Sequence, residues 1–213
     1  MKFICSILIF CVILFLPACS ADEAARSTST QDSAENLENN KTQQLHLCDV
    51  DGDGLDEIVV HQQIDAFGGA GQYLSRILKV DGEEICEIFN SGTSSSDGMF
   101  DTGFESEFLN GYKLKITNRH VNYSITIAIS DRYADDFFDE NGKGKRDISI
   151  LCDSFMEFTP KDIDGDGVFE IECLQYVSLD GHADGIGYAK SALKLNTETQ
   201  KFEVIQAEFV EDI

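Results

Sequence analysis

From Leu45 onward, apolar and polar residues come in short alternating or clustered runs separated by turn residues. This is the pattern of half-buried strands, whose side chains point alternately to opposite faces. Leu45–Cys48, Glu57–Ile64, Tyr73–Val80 and Glu84–Asn90 predict strands, and Asp81-Gly82 predicts a hairpin turn between the last two. After a loop at Ser91–Asp97, Glu105–Leu109, Tyr112–Thr117 and Tyr123–Ile129 predict three more, with a turn at Asn110-Gly111. Asp131–Asp139 predicts a helical turn. The strand pattern then resumes at Asp147–Cys152, Phe155–Phe158, Glu170–Val177, Lys190–Leu195 and Phe202–Phe209. The expected fold class is therefore all-β.

The N-terminal part has a different pattern. Lys2 is followed by the apolar run Phe3–Leu16, which is short for a bilayer span of about 18 residues or more but suits an export signal. The run ends in Leu16-Pro17-Ala18-Cys19, which resembles a bacterial lipobox and implies acylation of Cys19 and a membrane anchor. Ser20–Gln44 is rich in Ser, Thr, Asn, Gln and Glu and contains a single Leu and no aromatic residue. Such a segment buries too little apolar surface to offset its ordering entropy. The expected organisation is a signal peptide at 1–18, a disordered tether at 19–44 and a β domain at 45–213.

Within the β domain one acidic stretch occurs twice. Asp49-Val-Asp-Gly-Asp-Gly-Leu-Asp-Glu57 returns 113 positions later (162 − 49) as Asp162-Ile-Asp-Gly-Asp-Gly-Val-Phe-Glu170. Calcium takes about six to eight oxygen ligands, and alternate residues of a tight loop can supply them. The expected ligands are Asp49, Asp51, Asp53, the Leu55 carbonyl and Glu57 in one loop. In the other they are Asp162, Asp164, Asp166, the Val168 carbonyl and Glu170. Gly54 and Gly167 allow the sharp bend at position 6. Position 12 is Val60 or Cys173, not the Glu that an EF-hand requires. A third stretch, Asp139–Asp147, has the spacing but carries Lys143 at position 5, and is expected to keep the turn without the metal.

An acidic loop of this type followed at once by a strand resembles the loops of FG-GAP and VCBS-type repeats, which join strands of β-propeller blades. Phe108–Lys115, Asp162–Glu170 with Leu174-Gln175, and His182–Tyr188 further resemble VCBS-repeat lipoproteins of Gram-positive bacteria. The resemblance implies an exported β protein with two calcium sites. Leu78-Lys-Val-Asp81 also matches Leu193-Lys-Leu-Asn196, extending the repeats to 45–90 and 158–209 on either side of a central β region. Two clear units are too few for a full propeller. A short array of propeller-blade-like antiparallel sheets is expected, with a β-sandwich built from two repeats as the alternative.

Charge narrows the partners. The 213 residues carry a formal charge of −23, and removing residues 1–18, whose only charged side chain is Lys2, leaves −24. Nucleic acid and anionic membrane surfaces are thereby disfavoured as partners. Cys48, Cys86, Cys152 and Cys173 allow one or two disulfides in three full pairings, or buried free thiols. The glycine cluster at Phe67–Gln72 lacks the Gly-Lys-Ser/Thr of a phosphate loop. The reading that follows is a membrane-anchored, extracytoplasmic, calcium-binding lipoprotein. It would be a non-enzymatic module presenting a face to a glycan, a cell-wall component or a protein. The alternative is an exported hydrolase with its acids around His182, Asp180 and Asp184; a calcium-dependent assembly subunit is a third reading.

Overall fold

The computed structural model describes residues 43–211 apart from 66–70, 94–97, 130, 146–148 and 182. The expected signal peptide, the acylated Cys19 and the tether as far as residue 42 lie outside the described residues, as do most of the glycine cluster and His182. Gln43 and Gln44, expected at the end of the disordered tether, instead begin a strand because they pair with Gln62 and His61. Those described belong to one compact unit, Asn39–Ile213.

The domain is nearly all β, built from three antiparallel meanders in which every strand pairs with its neighbour in sequence. The first sheet holds β1 (Gln43–Cys48), β2 (Glu57–Asp65), β3 (Gln72–Asp81) and β4 (Glu84–Asn90). The middle sheet holds β5 (Phe104–Leu109), β6 (Lys113–Asn118) and β7 (Tyr123–Ala128), and is followed by helix α1 (Asp131–Phe137). The last sheet holds β8 (Leu151–Lys161), β9 (Glu170–Ser178), β10 (Gly185–Asn196) and β11 (Lys201–Glu211). These are blade-like sheets with no closed barrel. The turns at Asp81-Gly82 and Asn110-Gly111 fall where glycine at positive φ is required, at 64° and 81°.

One expected break is absent. Asp147–Cys152 and Phe155–Phe158 read as two runs, yet β8 continues from Leu151 to Lys161. Irregular pairing on either side of Phe155 disrupts the alternation that the sequence pattern relies on. Pro160 is accommodated because β8 is the edge strand of its sheet, where a missing N–H breaks no ladder bond on the free side.

The first and last sheets repeat each other in register. Leu47, Ile58, Leu78 and Glu87 form one cross-strand row, and Pro160, Ile171, Leu193 and Val204 form its counterpart. Each sheet also skips one residue at the same place, Ile88 against Ile77/Leu78 and Ile205 against Ala192/Leu193. The faces they turn inward differ, however. In the first sheet Val59, Ile77 and Phe89 point to the core, on the same side as Lys79. In the last sheet the opposite face, with Ile171, Cys173, Leu193 and Leu195, is buried. The two sheets therefore stack unlike face on unlike face.

The remaining half of that buried face is covered differently. Val177, Ala189 and Phe209 pack against Leu114, Ile116 and Ile127 of the middle sheet, with Phe137 and Phe138 at the end of α1. His61 joins the first sheet to β8: one ring nitrogen meets Ser75 Oγ at 2.9 Å, the other the Met156 carbonyl at 3.1 Å. Because a carbonyl only accepts, Nε2 carries the proton and Nδ1 accepts from Ser75.

Candidate metal centre

Both acidic loops connect the first two strands of a four-stranded sheet, β1 to β2 and β8 to β9. Their internal bonds are the same. Asp49 accepts from the N–H groups of Gly52 (2.7 Å) and Gly54 (2.8 Å), as Asp162 does from Gly165 (2.7 Å) and Gly167 (3.2 Å). Asp51 and Asp164 each accept from the N–H two residues on, at 3.2 Å, and Asp53 and Asp166 do so at 2.8 Å. Those last donors are the N–H groups of Leu55 and Val168, the position-7 residues. Glu57 and Glu170 reach back from the strand to the N–H of Val50 and Ile163, at 3.0 Å in both cases. The four loop glycines, Gly52, Gly54, Gly165 and Gly167, sit at φ between 79° and 88°, where a side chain would strain the backbone.

The acids converge. Asp49, Asp51 and Asp53 each bring a carboxylate oxygen within 4.8 Å of the others, and so do Asp162, Asp164 and Glu170. Opposed ligands of a calcium ion, bound at about 2.4 Å each, stand about that far apart. The donor set and its spacing therefore fit a hard divalent cation. The two clusters differ in membership: Asp53 joins the first and Glu57 stands apart from it, whereas Glu170 joins the second and Asp166 stands apart.

A lysine comes with each loop, and reading the loops alone misses it. Lys79 of β3 contacts Asp51 and lies 2.7 Å from Asp53 Oδ2. Lys194 of β10 lies 2.6 Å from Glu170 Oε1, 3.3 Å from Asp164 Oδ2 and 3.6 Å from Asp166 Oδ2. The bond from Lys79 holds the Asp53 carboxyl below the usual range. Asp164 is lowered by the Asp166 N–H and then by Lys194. Both ammonium groups are raised, Lys79 by Asp51 and Lys194 by Glu170. The inner carboxylates fare differently: Lys194 pairs with the buried Glu170, whereas among the described residues no cation pairs with Glu57, whose burial raises its carboxyl. The matched Leu-Lys pairs at 78–79 and 193–194 were the available signal, but only the strand register brings the lysines onto the loops.

The other candidates give less. Asp139 closes its turn by accepting from the N–H groups of Asn141 and Lys143, each at 2.9 Å. In the glycine-rich segment the Asp184 N–H donates to the Gly181 carbonyl at 2.9 Å and its carbonyl accepts from Leu179 at 3.1 Å, forming a compact turn. Cys48, Cys86, Cys152 and Cys173 are all free, so none of the possible disulfides is formed.

Fold and loops together define an all-β protein of antiparallel blade-like sheets with two clusters of carboxylates. A family model described as the YybI C-terminal domain matches residues 102–210, or 109 of 213 residues, and the chain belongs to that family. The match takes in the middle and last sheets and the second loop. The chain is also 24% identical over 161 residues to the "Uncharacterized protein YybI" of Bacillus subtilis (strain 168), covering 74% of this chain. It spans 59% of the length of that relative. No solved structure matches the chain.

Proposed function

We propose that this protein is an exported, non-enzymatic binding module whose two loops are calcium sites of the FG-GAP/VCBS type. Asp49, Asp51, Asp53 and Glu57 would hold one ion with the Leu55 carbonyl. Asp162, Asp164, Asp166 and Glu170 would hold the other with the Val168 carbonyl. Acylated Cys19 would tether the domain to the outer side of the cytoplasmic membrane, where it meets a glycan, a cell-wall component or a protein. The observation that carries this reading is that both loops fold through the same backbone-to-carboxylate bonds and each brings several acids against one lysine, Lys79 at Asp51 and Asp53 and Lys194 at Asp164, Asp166 and Glu170. A lone acidic turn has no need of such convergence, since like charges brought together repel.

On this reading Lys79 and Lys194 are stand-in cations. Their side chains remain 28% and 33% exposed, so they can swing into solvent when calcium enters. Calcium brings twice the charge, and carboxylates, carbonyls and water can complete its shell. Outside the cell, sites of this kind typically bind at about 10⁻⁴–10⁻³ M. Calcium would then stabilise the folded loops by mass action.

A thermal melt of the full chain in EGTA and in millimolar calcium tests the reading, run beside Asp53→Ala and Asp166→Ala. Calcium should raise the transition, and each substitution should shrink the rise. An unchanged transition in the parent protein, with direct titration silent too, would leave the lysines as the permanent occupants of the loops and remove calcium from the account.

A further inference from the structure

We propose that the outward face of the first sheet is a docking surface for one more four-stranded β-sheet of the same blade type, carried by another protein. The face crosses all four strands. Cross-strand pairing puts Leu45 beside Val60, Ile58 beside Leu78, and Val80 beside Ile85 on one side of the sheet. Leu45, Val80 and Ile85 are each 43% exposed. Singly exposed apolar side chains are ordinary, but a contiguous patch of them on one face is not.

The repeat identifies what belongs there. Aligned on Lys79 and Lys194, these six positions correspond to Phe158, Cys173, Ile171, Leu193, Leu195 and Phe202 of the last sheet. All six counterparts are buried, and the covering layer is the inward face of the first sheet, with Val59, Ile77 and Phe89. The same face thus occurs twice in one chain, covered by a blade in one copy and, among the described residues, without a covering sheet in the other. Each further blade in such a stack would extend an interface that already exists here.

The opposite end of the stack is finished. Where the first sheet has Val59, Ile77, Ser75 and Phe89, the last sheet has Glu172, Ala192, Lys190 and Gln206 on its outward side, with only the small Ala192 apolar among them. A polar outer face is how a terminal repeat is kept soluble. A second copy of this chain is a poor occupant for the bare face. Its apolar lysine-side face is already buried in its own stack, and offering its own bare face would set like face on like, whereas the stack in this chain sets unlike faces together. The occupant is instead a sheet presenting aliphatic and aromatic side chains as Val59, Ile77 and Phe89 do. Arg76 and Glu87, 3.8 Å apart on the docking face, supply a polar contact for orientation.

Hydroxyl-radical footprinting of the full chain, read by mass spectrometry at Val80 and Ile85, tests the proposal in two stages. In the protein alone both should label several-fold faster than Leu193 and Leu195, at a rate independent of protein concentration. A rate that rises on dilution would make a second copy the occupant and overturn the proposal. The probe for the second stage is the same chain with residues 43–90 repeated once between Thr42 and Gln43, the two copies joined by a flexible Gly/Ser linker of about 25 residues, which reaches on the order of 25–30 Å. Val80 peptides from the two copies run into different sequence and differ in mass. Labelling of Val80 and Ile85 in the original copy should fall to the level of Leu193, and Val59→Glu in the added copy should restore it. Undiminished labelling in the repeated chain would overturn the proposal.

Discussion

The backbone N–H of Phe169 donates to the carbonyl of Asp49 across 2.7 Å, tying position 8 of the second loop to position 1 of the first. The two acidic loops therefore lie against each other. A methyl group at Gly52 would come within 3.3 Å of Val168 Cγ2, whereas one at Gly54 would meet nothing within 4 Å.

Both glycines have positive φ, so either alanine substitution incurs the left-handed penalty of about 1–2 kcal/mol. Gly52→Ala adds the contact with Val168. Urea unfolding in EGTA should show Gly52→Ala to be the more destabilising, and Val168→Ala should recover the excess but not the shared part. Equal costs for the two glycines would mean that the loops do not touch in solution.

The lysines should not be equivalent. Lys79 meets only partly exposed aspartates, so Lys79→Met in EGTA should cost less than about 1 kcal/mol. Lys194→Met strips the buried Glu170 of its cation and should cost more, about 1–3 kcal/mol. Millimolar calcium should largely erase both losses. Chemical denaturation with and without the metal reads all four values.

Two buried groups should set the pH dependence of the metal-free protein. Burial lowers His61, so the fold favours its neutral ring; that contribution is complete above the ordinary 6.5 and is lost as pH falls below it toward the folded value. Protonation would also force Ser75 to give up its donated bond. Burial raises Glu57, so its contribution is complete below the ordinary 4.5 and is lost as pH rises through the folded value. Stability curves of His61→Gln should be flatter below 6.5, and those of Glu57→Gln flatter above 4.5. In calcium the Glu57 effect should disappear.

Among the four cysteines of the described residues, thiol chemistry should separate one from the other three. Cys48 and Cys173 are buried and Cys152 half-buried, and desolvation pushes the Cys48 and Cys152 thiols up to about 11 and about 12. Cys86 is exposed. Alkylation of the native protein at neutral pH, mapped by peptide mass, should modify Cys86 within minutes and leave the other three until unfolding.

Much of the fold is legible because the local signals agree with one another. Asp81-Gly82 and Asn110-Gly111 mark tight turns, and apolar alternation marks the strands beside them. The acidic loops are equally clear, since Asp49 and Asp162 bind the same N–H groups in both. What is hidden depends on pairing across strands. The Lys79 ammonium reaches Asp51 only because β3 lies beside β2, and nothing local to the loop announces it. The reversal of faces is hidden for the same reason: Ile58 and Ile171 occupy equivalent positions, but only packing decides that the second is buried. Around Phe155, irregular pairing erased the period that would have revealed β8 as one strand.

The meander topology sets an order of events during synthesis. Each sheet needs only consecutive strands, so the first can form once Asn90 has left the ribosome. Its stacking partner begins at Leu151, 61 residues later (151 − 90). At about 5–20 residues per second that interval lasts roughly 3–12 s. Throughout it both sides of the first sheet are apolar, and a passing chaperone or a neighbouring nascent chain has that long to find them.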